Sequence, residues 1–431
     1  MTFRDRANRV IPGGAHTYSK GDDQFPANAP QAFTRGKGGR VWDLDGREFV
    51  DWGMGINNVL IGHAEDAIDD AAAAAARSGQ NFSRPTPLEV EAAEDLIALL
   101  DGMEMVKFAK NGSDANTSAI RLARAITGRP LVFFDGTAPF LAIHDWFIGN
   151  TAMSAGVPDD VSRLAKPFVY NDVESVDRLF ADHGAEAAAV ILEPCRERRP
   201  AEGFLERLRS QCDRHGALLI YDEVVTGFRL SLHGTSRLFG VTPDLMSVGK
   251  GLANGYALTA LAGRAAYMTR GGLDHHDERV FLLSTTNGAE QSALAAGRAT
   301  MAFYRQHDVI GHLARVGDQV RCALAAATRP LGIDRFLSIA GDFPARPILL
   351  CLDHDGAASP AHRTLVHQEL IRHGVFMPWV CPSFRHGPAE IERTASAFAH
   401  AAQVYAQAIE TRSTEGLLEG APVKPVFRRF N

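Results

Sequence analysis

Between residues 105 and 263 short apolar runs alternate with stretches of helical period. "MVKFAK" (105–110), "PLVFFDG" (130–136), "AAAVILEP" (187–194), "ALLIYDEV" (217–224), "DLMSVGK" (244–250) and "ALTALAG" (257–263) read as strands. "DANTSAIRLARAITG" (114–128), with Ser113 or Asp114 near its start, "GFLERLRSQCDRHG" (203–216) and "GAEQSALAAGRATMAFYRQ" (288–306) read as helices, as does the alanine run "DDAAAAAARSG" (69–79). This alternation predicts an α/β fold: a mostly parallel central sheet with helices on both faces.

The flanks have a different pattern. A Gly/Pro-rich entry, "IPGGAHTYSKGDDQFP", leads into "GRVWDLDGREFVDW", whose apolar positions flank a hairpin turn. After residue 310, helices mix with short strands such as "RPILLCL" (346–352) and "GVFMPWV" (374–380). The expected organisation is an N-terminal segment over 1–55, a large α/β domain over 56–309 and a C-terminal segment over 310–431. The two end segments would share a smaller α+β domain.

Composition removes several function classes. A formal net charge of -6 over 431 residues, with no Lys/Arg block, leaves no basic face for nucleic acid. Five scattered cysteines without a C-x-x-C pair read as reduced intracellular thiols. No window approaches the roughly 18 apolar residues of a membrane span, and the N-terminus has no apolar leader. A cytoplasmic protein without membrane partners is expected. The sixteen histidines are dispersed without a compact ligand motif, so no metal is expected.

The candidate chemistry collects at the ends of the strands. Lys250 follows "LMSVG" and is surrounded by Gly249, Gly251, Ala253 and Gly255. A desolvated amine at such an edge is a nucleophile for a carbonyl carbon, and its small neighbours leave room for a flat ligand. Taken alone, a "GKG" loop is also compatible with a solvated surface lysine. Asp222 ends the apolar strand "ALLIYDEV", where a carboxylate requires a cation or hydrogen-bond donors. A pyridinium would serve, as would an ion pair to Arg229 or an N-cap. Gly112 and Ser113 precede a helix whose N-terminus suits a phosphate. Neither a P-loop nor a G-x-G-x-x-G turn occurs.

Taken together, "NGSDAN", "YDEVVTGFR", "SVGKGLANG" and "STTNGAEQSALAAG" resemble, in order, the motifs of class III aminotransferases. These are fold type I enzymes dependent on pyridoxal 5'-phosphate (PLP). The resemblance is nearest to the branch of glutamate-1-semialdehyde aminomutase and runs from "IPGGAHTYSKG" to "PVFRRFN". It implies that Lys250 holds PLP and moves protons, that Asp222 pairs with the pyridine nitrogen, and that Val224 packs on the ring. Gly112 and Ser113 would bind the phosphate. Phe140, in "TAPFLAIHDWF", falls at the ring-stacking position where relatives often carry Tyr, and a core role is its alternative. Thr286 matches a threonine that reaches the neighbouring subunit's phosphate, which implies a homodimer.

The resemblance also separates two reactions. The mutase's carboxylate-gripping arginine falls at Lys20, which lacks the bidentate fork. A tryptophan of the mutase pattern becomes Ile56, and "GVFMPWVCPSF" offers no counterpart to a mutase glutamate. These departures favour transamination of a small carbonyl substrate, such as a keto-sugar or another biosynthetic ketone, with an amino acid as donor; glutamate-1-semialdehyde 2,1-aminomutase is the alternative. Asn57 and Asn58 are candidate hydroxyl-binding amides, or simply turn residues. Glu193 stands at a strand end with its role open.

Overall fold

The computed structural model describes residues 1–430; Asn431, the last residue of the expected C-terminal segment, lies outside the described residues. Contacts divide the chain into one unit of Met1–Glu65 with the residues from Gly311 onward, and a second of Asp66–Ile310. Residues 56–65, expected in the large domain, fall in the first unit. His63 ties them to that unit: Gly38 and His63 exchange both backbone hydrogen bonds at 2.8 Å.

The second unit is built on seven strands. Their order across the sheet is Met105–Ala109, Thr259–Gly263, Leu245–Val248, Leu218–Glu223, Ala187–Leu192, Leu131–Asp135 and Ala165–Phe168. Thr259–Gly263 is antiparallel to both neighbours and every other pairing is parallel. The C-terminal ends of six strands therefore share one edge, where α/β folds place ligands.

Strand alternation sends successive side chains to opposite faces. Leu219 and Tyr221 join Phe133 and Val190 in a core with Phe180 of the Val173–His183 helix and Leu208 of the Phe204–His215 helix. Asp222 and Ser247 lie on the other face, against Asn116 of the Gly112–Thr127 helix. The expected fold type I architecture, helices on both faces of a mostly parallel sheet, is the one observed. The Ala165–Phe168 strand has no periodic signature; its Pro167 is tolerated because the strand lies at the sheet edge.

The first unit holds a four-stranded sheet ordered Phe33–Lys37, Arg40–Asp43, Glu48–Asp51 and Val375–Phe376. The expected hairpin pairs Val41 with Phe49 across a turn in which Asp43 Oδ1 accepts the Arg47 amide at 2.8 Å. Its core joins Val50 and Trp52 to Val320, Val366, Phe398 and Tyr405. The 374–380 run supplies only a two-residue strand, Val375–Phe376.

Candidate active site

Asp222 lies at the shared edge, near the end of the Leu218–Glu223 strand. It pairs in register with Ser247 on the adjacent strand and is 6% exposed. Its Oδ2 accepts Asn116 Nδ2 at 2.7 Å, and its Oδ1 accepts the Val224 amide at 3.0 Å. Asn116 also donates to the Leu141 carbonyl at 2.8 Å, while its Oδ1 accepts Ser247 Oγ at 2.5 Å. These bonds, rather than an N-cap or an ion pair to Arg229, are the direct support for the carboxylate. Burial, and after it the charge of Glu193, pushes the Asp222 carboxyl up to about 7; its two hydrogen bonds and Lys250 act in the opposite direction. Glu193, whose role the sequence left open, is thus an electrostatic neighbour of Asp222.

Lys250 lies two residues beyond the Leu245–Val248 strand and opens a short 3-10 turn. Its backbone is left-handed, with φ +43°. A non-glycine residue held there costs on the order of 1–3 kcal/mol and persists only where its surroundings enforce it. Val224 packs against the residue before Lys250. A Cβ at Gly249 would stand 3.4 Å from Val224 Cγ1, and a Cβ at Gly112 would stand 2.9 Å from Val224 Cγ2. Small residues on both sides of Val224 bring the lysine turn, the end of the Asp222 strand and the helix start together.

The helix begins at Gly112, slightly earlier than the sequence pattern indicates. Its N-cap, Asn111, makes no side-chain cap bond; the amide donates instead to Asp114 at 3.2 Å. Among the described residues the Gly112 and Ser113 amides have no acceptor, as expected for the first helical positions. Ser113 Oγ accepts the Ile143 amide at 3.0 Å, which leaves its hydroxyl proton to donate elsewhere. Two amides and a hydroxyl at a positive helix end suit an anionic group.

Phe140 sits in a loop pinned at both ends. Asp135 Oδ1 accepts the Thr137 amide at 2.8 Å, while Asn116 and Ser113 hold Leu141 and Ile143. The Phe140 ring is 45% exposed and meets Phe147 edge-to-face at 6.0 Å, so it is not a core residue. Thr286 lies exposed in a turn. Lys20, Asn57 and Asn58 belong to the first unit, with Lys20 exposed and both asparagines half-buried. There Met54, Gly55, Ile56 and Asn57 form a left-handed turn with φ between +40° and +62°, a costly conformation for the β-branched Ile56. Within the second unit the structure thus gathers Lys250, Asp222, Val224, Gly112 and Ser113. It adds Asn116 and Ser247, which the sequence reading missed because a polar residue in a first helical turn or a strand carries no distinguishing pattern.

All five cysteines are free. Among the described residues, no group of three or more His, Cys, Asp or Glu could hold a metal, and no helix is long and apolar enough to cross a membrane.

The family model described as aminotransferase class-III matches residues 23–335. The chain belongs to the class III aminotransferases, a PLP-dependent family. It is 33% identical to a glutamate-1-semialdehyde 2,1-aminomutase of Syntrophobacter fumaroxidans, over 92% of this chain and 94% of that one. It is 30% identical to a 3-aminobutyryl-CoA aminotransferase of Cloacimonas acidaminovorans, over 92% and 95% of the two chains. The PLP internal aldimine form of the FumI protein of Sphingopyxis sp. MTA144 superposes with a TM-score of 0.83 at 27% identity, covering 95% of this chain and 97% of that one.

The residues present fit PLP. The cofactor needs an amine, an acid to pair with its ring nitrogen and donors for its phosphate. The second unit offers a strained lysine, a buried carboxyl and a helix start with free amides. Gly112 lets Val224 pack directly against the helix start, where any side chain would clash.

Proposed function

We propose that this protein is a cytoplasmic PLP-dependent transaminase that moves an amino group from an amino-acid donor to a small carbonyl substrate. The observation that carries the proposal is the left-handed Lys250 at the same sheet edge as the buried Asp222. Bound there, PLP would supply an electron-withdrawing ring that lets a proton leave the carbon bearing the amino group.

The chain's own residues would do the rest. Lys250 Nζ would hold the cofactor, then take the proton from the donor's α-carbon and return it on the other side of the transfer. The Asp222 carboxylate would hold a proton on the ring nitrogen. The Gly112 and Ser113 amides and the Ser113 hydroxyl would bind the phosphate, with Val224 against one ring face and Phe140 over the other. Thr286, exposed in the single chain, would complete the partner's phosphate site in a homodimer. Lys20, Asn57 and Asn58 are the proposed substrate contacts.

The mutase reading has one point in its favour, the 33% identity to a glutamate-1-semialdehyde 2,1-aminomutase. Against it stand Lys20 and Ile56 at two substrate-facing positions of the mutase pattern. The test is the visible absorption of the PLP-loaded protein during titration with amino acids, with 2-oxo acids assayed in parallel. Bleaching by glutamate, glutamine or another α-amino acid with stoichiometric oxo-acid release supports transamination and names the donor. Bleaching by 4,5-diaminopentanoate alone, without oxo acid, supports the mutase instead.

A further inference from the structure

One side chain connects two features of the cofactor site that lie on different elements. The Asn116 amide is fully engaged: its nitrogen donates to Asp222 Oδ2 at 2.7 Å and to the Leu141 carbonyl at 2.8 Å, and its oxygen accepts Ser247 Oγ at 2.5 Å. Leu141 adjoins Phe140, and the next anchor of the loop is Ile143, whose amide donates to Ser113. Asn116 is 1% exposed and Ser247 fully buried, so no solvent competes for these bonds.

The donor pattern fixes the amide's orientation. A flipped Asn116 would turn its oxygen toward a carboxylate and a carbonyl, two acceptors, and its nitrogen toward the Ser247 hydroxyl. Ser247 donates only while the amide stays as observed. It is also the in-register neighbour of Asp222 and lies three residues before Lys250 on the same strand end. A single network therefore touches the strand of the nucleophile, the strand of the acid, the phosphate-binding helix and the loop of the stacking ring.

We propose that Asn116, oriented by Ser247, is a positioning residue that sets the rotamer of the Asp222 carboxylate and the placement of the 137–143 loop together. The inference rests on the PLP reading above for its consequence, but not for its geometry. A bent or flipped Asn116 should release both partners at once. Asp222 would lose the donor that favours its ionised form, and Leu141 would lose its hydrogen bond to the helix.

Three variants test this. Asn116→Leu removes all the bonds while keeping an apolar volume. Asn116→Asp keeps the shape but replaces two donors with acceptors, and Ser247→Ala removes only the orienting hydroxyl. Two readouts are followed. The first is hydrogen exchange of the 137–143 peptide in the cofactor-free protein. The second is the pH midpoint of the visible band of the PLP-loaded protein, with PLP affinity measured by dialysis.

Exchange should quicken about tenfold in Asn116→Leu, the loss of one buried hydrogen bond. Asn116→Asp should weaken PLP binding more than Asn116→Leu and move the band's midpoint by about one pH unit. Ser247→Ala should show both effects at smaller amplitude. If Asn116→Leu does not fold, Ser247→Ala decides. Wild-type exchange and a wild-type midpoint in every folded variant would overturn the proposal. Failure of the wild-type protein to take up PLP would instead overturn the functional reading, while the exchange result would still decide the relay.

Discussion

Asp222 and Glu223 are consecutive, both buried and both pushed up to about 7, first of all by burial. They face opposite sides of one strand into different surroundings. Glu223 Oε1 accepts the Thr235 amide and the Thr235 hydroxyl, each at 2.8 Å, so the carboxyl anchors the turn after its own strand. Asp222 faces the helix start, where Gly112 lets Val224 approach closely, Lys250 is held in a strained conformation and Glu193 adds like charge. The contrast shows that burial and a raised pKa do not by themselves mark a catalytic acid. What marks Asp222 is its neighbours: Asn116, the helix start at Gly112 and the strained Lys250.

The difference can be broken at several points. Lys250→Ala is expected to lower turnover by about 10⁴-fold or more, since it removes both the anchor and the proton carrier. Steady-state kinetics with the identified donor measures this, and retained activity would dismiss Lys250. Asp222→Ala should cost about 100-fold in PLP affinity, the scale for losing one member of a buried charge pair, whereas Glu223→Gln should leave PLP affinity unchanged. The latter variant should instead destabilise the fold by about 1–3 kcal/mol through the Thr235 turn, as read by chemical denaturation. Equal effects on PLP binding would erase the distinction between the two faces.

Smaller effects sharpen it. Gly112→Ala should weaken PLP binding by about tenfold, the scale of one disturbed contact, because the new methyl group meets Val224 Cγ2 at 2.9 Å. A dialysis isotherm decides this one. In the cofactor-free protein, Asp222 and Glu223 bind protons more tightly when folded than when unfolded. Their contribution to stability is therefore full below the ordinary carboxylate range and is lost as pH rises through about 7. Thermal melts should fall between about pH 4 and pH 7, and Asp222→Asn should flatten that slope. An unchanged slope would show that Asp222 stays ionised throughout.

Much of the large unit was legible because five of its seven strands are wholly buried and read as unbroken apolar runs, two of them leading into chemically distinct residues, Asp222 and Lys250. The strand Ala165–Phe168 was not, since an edge strand needs neither a continuous apolar run nor a full set of amide donors. Lys250 and Asp222 were found because an amine among glycines and a carboxyl closing an apolar strand both conflict with their local pattern. Asn116 and Ser247 fit theirs: a helix and a strand each tolerate one small polar residue, and only the register of two strands against a helix reveals that they meet. The loop of Phe140 is placed by bonds to Asp135, Asn116 and Ser113 that span up to 30 positions of sequence, beyond the reach of any local periodicity.

The unit offers a second lysine at the same sheet edge. Lys110 Nζ lies 3.5 Å from Glu290, and burial holds its pKa below the ordinary lysine value. It lacks the left-handed backbone of Lys250. The most direct measurement is therefore borohydride reduction of the PLP-loaded protein followed by peptide mapping. A phosphopyridoxyl group is expected on Lys250 alone; the group on Lys110 or any other lysine, with Lys250 unmodified, would contradict the assignment.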